Sequence, residues 1–165
     1  MDKDTLIAAM DFARARLLGL LDAIEKSGED TAKVLAWRPG LGRAHLAWQA
    51  MHCAATHDRY LNVNVLSQPA PADPALVAAY GGGTTPSDQN IPSLALIRLT
   101  LATHFDAFRK YAAGLAPADL DRMVGTGDRR RSVGESLLLM AWHETHHQGQ
   151  IHLTWNLYKA AQGLT

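Results

Sequence analysis

The sequence predicts an all-α fold, a four-helix bundle, on three observations. Apolar residues recur at three- and four-residue steps in four segments, no stretch alternates convincingly as a strand, and Pro and Gly cluster between those segments. A chain of 165 residues, 47% hydrophobic and 19% charged, has enough apolar surface for one core, so a single domain over residues 1–165 is expected.

In the first segment Leu6, Met10, Ala13, Leu17, Leu20, Leu21 and Ile24 share a face, with Asp4 as N-cap and Gly28 just past the end. The second runs from about Gly42 to Leu66, after the breaker Pro39-Gly40. Pro92 and Ser93 open the third, which carries Leu96, Leu99, Leu101, Phe105, Phe108 and Tyr111 before Pro117. Ser132-Val133-Gly134-Glu135 has capping-box spacing, so the fourth helix starts there and continues to about Ala161. The connection between the second and third helices is the longest and is rich in Pro, Gly, Ser and Ala. A helix of about 24 residues is about 36 Å long, and that connection is long enough to travel it, which permits an up-down-down-up arrangement without requiring it. Gly81-Gly82-Gly83-Thr84-Thr85 within it reads as a flexible surface loop.

Sixteen basic and sixteen acidic residues give a net charge of zero, so no global field favours nucleic acid or an anionic membrane. The one basic run, Arg129-Arg130-Arg131, reads as a solvated loop. No apolar stretch is long enough to cross a bilayer, and Met1-Asp2-Lys3-Asp4 is too polar for a secretory signal, so a cytoplasmic protein is expected. The sole cysteine, Cys53, reads as a small buried apolar group.

The chemistry concentrates at His143-Glu144-Thr145-His146-His147. On a helix His143 and His147 lie one above the other and can grip one ion. With His143 as origin and about 100° per residue, Ser136, His147, Gln150 and Thr154 fall within about 40° of it, a polar line on the stripe expected to face the core. Such groups need partners, a wet cavity or a metal. His146 falls to one side, and His152 reads as a solvent histidine.

A third ligand must come from another helix. His45 and His52 lie two turns apart on one face of the second helix, and spacing alone does not choose between them. His57 lies off that face and reads as structural or exposed; His104 reads as a satisfied core histidine.

The five residues also spell H-E-x-x-H, the zinc metalloprotease signature. One class of those enzymes needs a glycine and a histidine where this chain has Gln150 and Leu153, and the other needs a downstream carboxylate, whereas no Asp or Glu follows Glu144. A protease is therefore the remote alternative. Glu144, off the ligand stripe, is expected at the surface, with service as a base only if the neighbouring helix leaves room.

Trp37-Arg38-Pro39-Gly40, leading into Trp48-x-x-Met51-His52-Cys53-Ala54-Ala55-Thr56-His57-Asp58-Arg59-Tyr60-Leu61, together with His143-Glu144-Thr145-His146-His147-Gln148-Gly149-Gln150-Ile151, resembles the DinB and YfiT-like family. That group of metal-binding four-helix bundles is related to bacterial thiol S-transferases and to mycothiol-dependent maleylpyruvate isomerase. The resemblance covers nearly the whole chain. It implies an up-down-down-up bundle and one divalent ion, zinc or nickel, with His52, His143 and His147 as ligands; the surplus histidines His45, His57 and His146 depart from the pattern.

Three imidazoles leave an open coordination position for water or a thiolate. The expected function is a metal-dependent enzyme of the thiol S-transferase or hydrolase type, acting on a small electrophile, with a low-molecular-weight thiol as its candidate second cofactor. The alternative is a non-catalytic metal-binding stress-response protein. The expected partners are a small-molecule substrate and, through helix faces, a second copy of the chain as a homodimer, with no nucleic acid and no membrane.

Overall fold

The computed structural model describes residues 1–164 and is predominantly helical. Helix α1 spans Lys3–Glu25, α2 Thr31–Ala36, α3 Leu46–Arg59, α4 Pro74–Tyr80, α5 Leu94–Ala113 and α6 Val133–Gln162. Two short strands, β1 (Met123–Val124) and β2 (Arg131–Ser132), pair antiparallel with Val124 opposite Arg131. No helix is long and apolar enough to cross a membrane.

The four long helices lie where the periodicity puts them, and their ends show the chemistry that sets them. Asp2, not Asp4, caps α1 by accepting from Thr5 N–H at 2.8 Å; Asp4 lies inside the first turn, where a carboxylate suits the helix dipole. The second long helix starts four residues later than Gly42, because Gly42 sits at φ +71° and breaks the chain; His45 caps α3 instead. Its α-geometry stops at Arg59 and relaxes into a π turn, Tyr60–Val65, in which Leu66 N–H donates to Leu61 O at 2.9 Å. Ser132 and Glu135 close the capping box of α6 at 3.1 and 2.7 Å. Gly163 at φ +68° ends it.

The two short helices and the strand pair go beyond the four segments expected. Asp30 and Asp73 nucleate α2 and α4 as N-caps, with Pro74 at the first helical position. Their apolar stripes are too short to stand out as a period, but they cover one end of the core through Val34, Leu35 and Leu76.

The apolar core is split in two. One cluster contains Leu17, Leu21, Ile24, Leu46, Ile97, Leu101, Ile151 and Trp155; the other contains Met10, Leu61, Phe105, Phe108, Leu137 and Met140. Between them every long helix contributes a polar residue: Arg14 from α1, His52, His57 and Asp58 from α3, His104 from α5, and His143, Glu144 and His147 from α6. Arg14, His57, Asp58 and Glu144 are all buried, so the middle layer must satisfy its own charges.

Candidate metal centre

His52 projects from the middle of α3, and His143 and His147 from successive turns of α6. One ring nitrogen from each lies within 4.8 Å of the others, and the Nε2 atoms of His52 and His143 are 3.2 Å apart. His52 Nδ1 faces the Tyr80 carbonyl at 2.6 Å. A carbonyl only accepts, so Nδ1 carries the proton and the Nε2 lone pair points to the other two imidazoles. Trp48 stacks on this ring, centroids 4.8 Å apart and planes 7° from parallel, which fixes its tilt.

Burial, followed by mutual repulsion, pushes His143 down to about 4 and His147 to about 3. Burial lowers His52 as well. All three rings are therefore neutral near pH 7, the form that ligates metals. His147 Nδ1 is buried without a hydrogen-bond partner. Nitrogens about 2.0–2.1 Å from a tetrahedral zinc stand roughly 3.4 Å apart, close to the His52–His143 separation. The donor set, the unsatisfied nitrogen and the spacing all fit a divalent cation.

His52 and His143, with His147 behind them, border a cleft of about 320 Å³ whose lining also includes Thr56, Arg59, Tyr60 and Arg131. Gly81 and Gly82 also line it. The glycine segment expected as a surface loop thus forms part of the wall.

A family model of the DinB superfamily matches residues 9–151. The chain belongs to the DinB superfamily. None of the curated proteins compared with the chain matches it.

The other histidines of this DinB chain separate cleanly. His45 is outside the cluster: its Nδ1 accepts from Trp48 N–H at 3.0 Å and its Nε2 donates to Ser87 O at 3.0 Å, so both nitrogens are engaged. His57 is buried against Phe105 and Phe108. His104 is half-buried, 4.0 Å from Asp58. His146 is exposed, stacked on Trp142 and bonded to Gln150 at 2.7 Å; His152 is exposed. Cys53 is buried and its thiol is pushed well up by burial, which leaves it inert as a nucleophile.

Glu144 departs most from expectation. It is 1% exposed, and both oxygens are held by Arg14, at 2.6 Å from Nε and 3.1 Å from Nη2. His57 Nε2 stands 3.7 Å away, and the Arg14 guanidinium lies 4.3 Å over the Phe105 ring. The buried face of α6 is centred about 80° further round than His143, so Glu144 lies near its middle while Gln150 falls outside and is exposed. His143 sits at the edge of that face, which is why it reaches the cleft. The signal for Glu144 was Arg14, a lone cation on the apolar stripe of α1 between Met10 and Leu17.

Asp58 is a further residue that motif reading passes over. Its carboxylate accepts from Asn62 Nδ2 at 2.6 Å, Ala72 N–H at 2.9 Å and Asp73 N–H at 2.7 Å. It thereby fastens the start of α4, whose last residue, Tyr80, orients His52.

Proposed function

We propose that this protein is a divalent-metal-dependent enzyme of the thiol S-transferase or hydrolase type, with His52, His143 and His147 as the ligands of a zinc or nickel ion. The observation that carries this reading is the convergence of three neutral imidazoles, with no carboxylate or thiol among them, beside an open cleft. The scaffold is read as an up-down-down-up four-helix bundle. In support, α1 and α6 pass from the Met10–Phe108 cluster to the Leu21–Trp155 cluster along the chain, whereas α3 and α5 pass the opposite way.

A bound divalent ion supplies Lewis acidity, lowering the pKa of water or a thiol in its open position and polarising a small electrophile. The protein's own contribution is orientation and exclusion of water. The Tyr80 carbonyl sets the tautomer of His52, Trp48 covers its outer face, and Thr56, Tyr60 and Leu139 wall the space in front of His143. Glu144 is not the base: Arg14 occupies both its oxygens and neither reaches the cleft. That pairing weighs against peptide hydrolysis by the H-E-x-x-H route.

The test is cobalt substitution. Azide or a small thiol added to the cobalt protein is expected to change its visible absorption, and the response is expected to vanish in His147→Ala and persist in Glu144→Gln. A spectrum that ignores every thiol and anion means a closed coordination sphere, and a non-catalytic metal-binding role then replaces the enzyme.

A further inference from the structure

We propose that the cleft beside the three histidines selects a small anionic molecule, a substrate or thiol whose carboxylate or phosphate is seated on Arg59, Arg129 and Arg131. This rests on the reading of the triad as the reactive centre and names the class of molecule it takes.

Arg14, Arg38, Arg98 and Arg109 each engage a carboxylate: Glu144, Asp88, Asp22 with Glu25, and Asp11. Among the described residues, Arg59, Arg129 and Arg131 engage none, yet all three line the one cleft that also exposes His52 and His143. Arg16, Arg43, Arg122 and Arg130 likewise engage no carboxylate among the described residues but stand outside the cleft, so what marks the cleft arginines is their convergence on one opening, not the missing partner alone. That cleft has no Asp or Glu in its wall; Asp128 lines only the adjoining groove. In a protein of zero net charge, three uncompensated guanidiniums at one opening make a local positive field that an anion would neutralise.

The three arginines are positioned by built elements. Arg59 ends α3, and Arg131 lies in β2 opposite Val124 with its guanidinium 5.9 Å from the Tyr60 ring centroid. Gly125 N–H donates to Asn64 O at 3.0 Å, docking the turn between the strands onto the π turn. Gly125 itself is at φ +74°, and a Cβ there would meet the Arg129 carbonyl at 2.7 Å, so only glycine lets the turn close this tightly. The basic run that reads as a solvated loop is thus held against the mouth of the histidine cleft. A volume of about 320 Å³ admits a small molecule that spans from the histidines to the arginines.

Calorimetric titration of the zinc-loaded protein with mercaptopropionate, mercaptopropylphosphonate and neutral mercaptopropanol tests this. The charged thiols are expected to bind at least about tenfold tighter than the neutral one, with the gap shrinking in high salt. In the Arg59→Gln/Arg131→Gln double variant, checked for an unchanged thermal midpoint, the gap is expected to fall to about twofold or less. The carboxylate and phosphonate arms tell which anion fits. Equal affinity for charged and neutral thiols in the native protein overturns the proposal without recourse to any variant. Should the native protein load neither zinc nor nickel, the proposed function falls, and glutarate and inorganic phosphate titrated into the metal-free protein decide the arginine cleft. Saturable binding weakened about tenfold in the double variant supports it, and equal or absent binding overturns it.

Discussion

Two clusters of ionisable side chains occupy the same layer of the protein and differ in one respect, whether their partners are inside the protein. Arg14, Glu144 and His57 are buried and face one another, with the carboxylate held at both oxygens. His52, His143 and His147 face one another as well, but as three neutral imidazoles with no carboxylate or cation of the protein among them, and with a cleft in front of His52 and His143. Glu144 directly follows His143 in the chain, so a single helical step of about 100° separates a strut from a candidate metal ligand. The H-E-x-x-H spelling joins in one string residues that the helix sends to different chemistries.

Metal binding gives the sharpest break between the two clusters. His147→Ala is expected to lower divalent-metal affinity at least about a hundredfold, leaving isolated protein nearly metal-free, because it removes a ligand outright. Glu144→Gln is expected to keep one ion per chain. Elemental analysis of the two variants beside the native protein decides it; metal lost equally from both would mean that the clusters are one site.

Stability separates them in the opposite sense. Arg14→Ala leaves the Glu144 carboxylate buried without its cation and is expected to cost about 3–5 kcal/mol, whereas Arg14→Met with Glu144→Gln recovers most of that. In the metal-free protein at neutral pH His143→Ala removes a half-buried neutral imidazole that no charged group of the protein holds, and is expected to cost well under the Arg14→Ala loss, about 1 kcal/mol or less. Urea unfolding of the metal-free variants measures both. A large loss in His143→Ala without metal would show that the triad, too, is held by internal contacts.

Acid sharpens the same contrast. His143 at about 4 and His147 at about 3 lie below the ordinary imidazole value near 6.5, so the unfolded chain binds more protons between those limits. Their contribution to stability is complete above about pH 6.5 and is lost as pH falls towards their folded values, each at about 1.4 kcal/mol per pH unit. Glu144 has the opposite sign: burial raises its carboxyl against the pull of Arg14, so its contribution weakens as pH rises above the ordinary carboxylate value. Metal-free unfolding measured from pH 7 to 5 is expected to lose in total about 2 kcal/mol less in His143→Ala than in the native protein, most of it below pH 6.5, and an unchanged slope contradicts the neutral-imidazole assignment.

The long helices were legible because each has an apolar period extending over several turns, as with Leu6 to Ile24 of α1 and the capping box at Ser132. The pairing of His143 with His147 followed from their four-residue spacing alone. Less legible was the rotation of α6: of the polar line expected to face inward, Ser136, His147 and Thr154 do so and Gln150 does not, and placing its centre at His143 put Glu144 on the surface. Only the partner helix resolves that, since the charge which lets a carboxylate be buried sits 130 residues away at Arg14. The same holds for Arg129 and Arg131, whose neighbours Arg59 and Tyr60 are brought to them by a turn that local patterning does not encode.

The smallest expected effect concerns His45, which spacing alone left level with His52. Its Nδ1 caps α3 and its Nε2 ties the helix start to Ser87, in the segment between α4 and α5. His45→Ala removes a helix cap and one loop contact, so a loss of about 1–2 kcal/mol is expected, with metal stoichiometry unchanged. His45→Asn restores a side-chain acceptor for the Trp48 amide and should recover part of the loss, as thermal melting would show. Loss of metal from His45→Ala at unchanged helix content would move the third ligand from His52 to His45 and remove the distinction between a histidine that builds the helix and one that presents a lone pair to an ion.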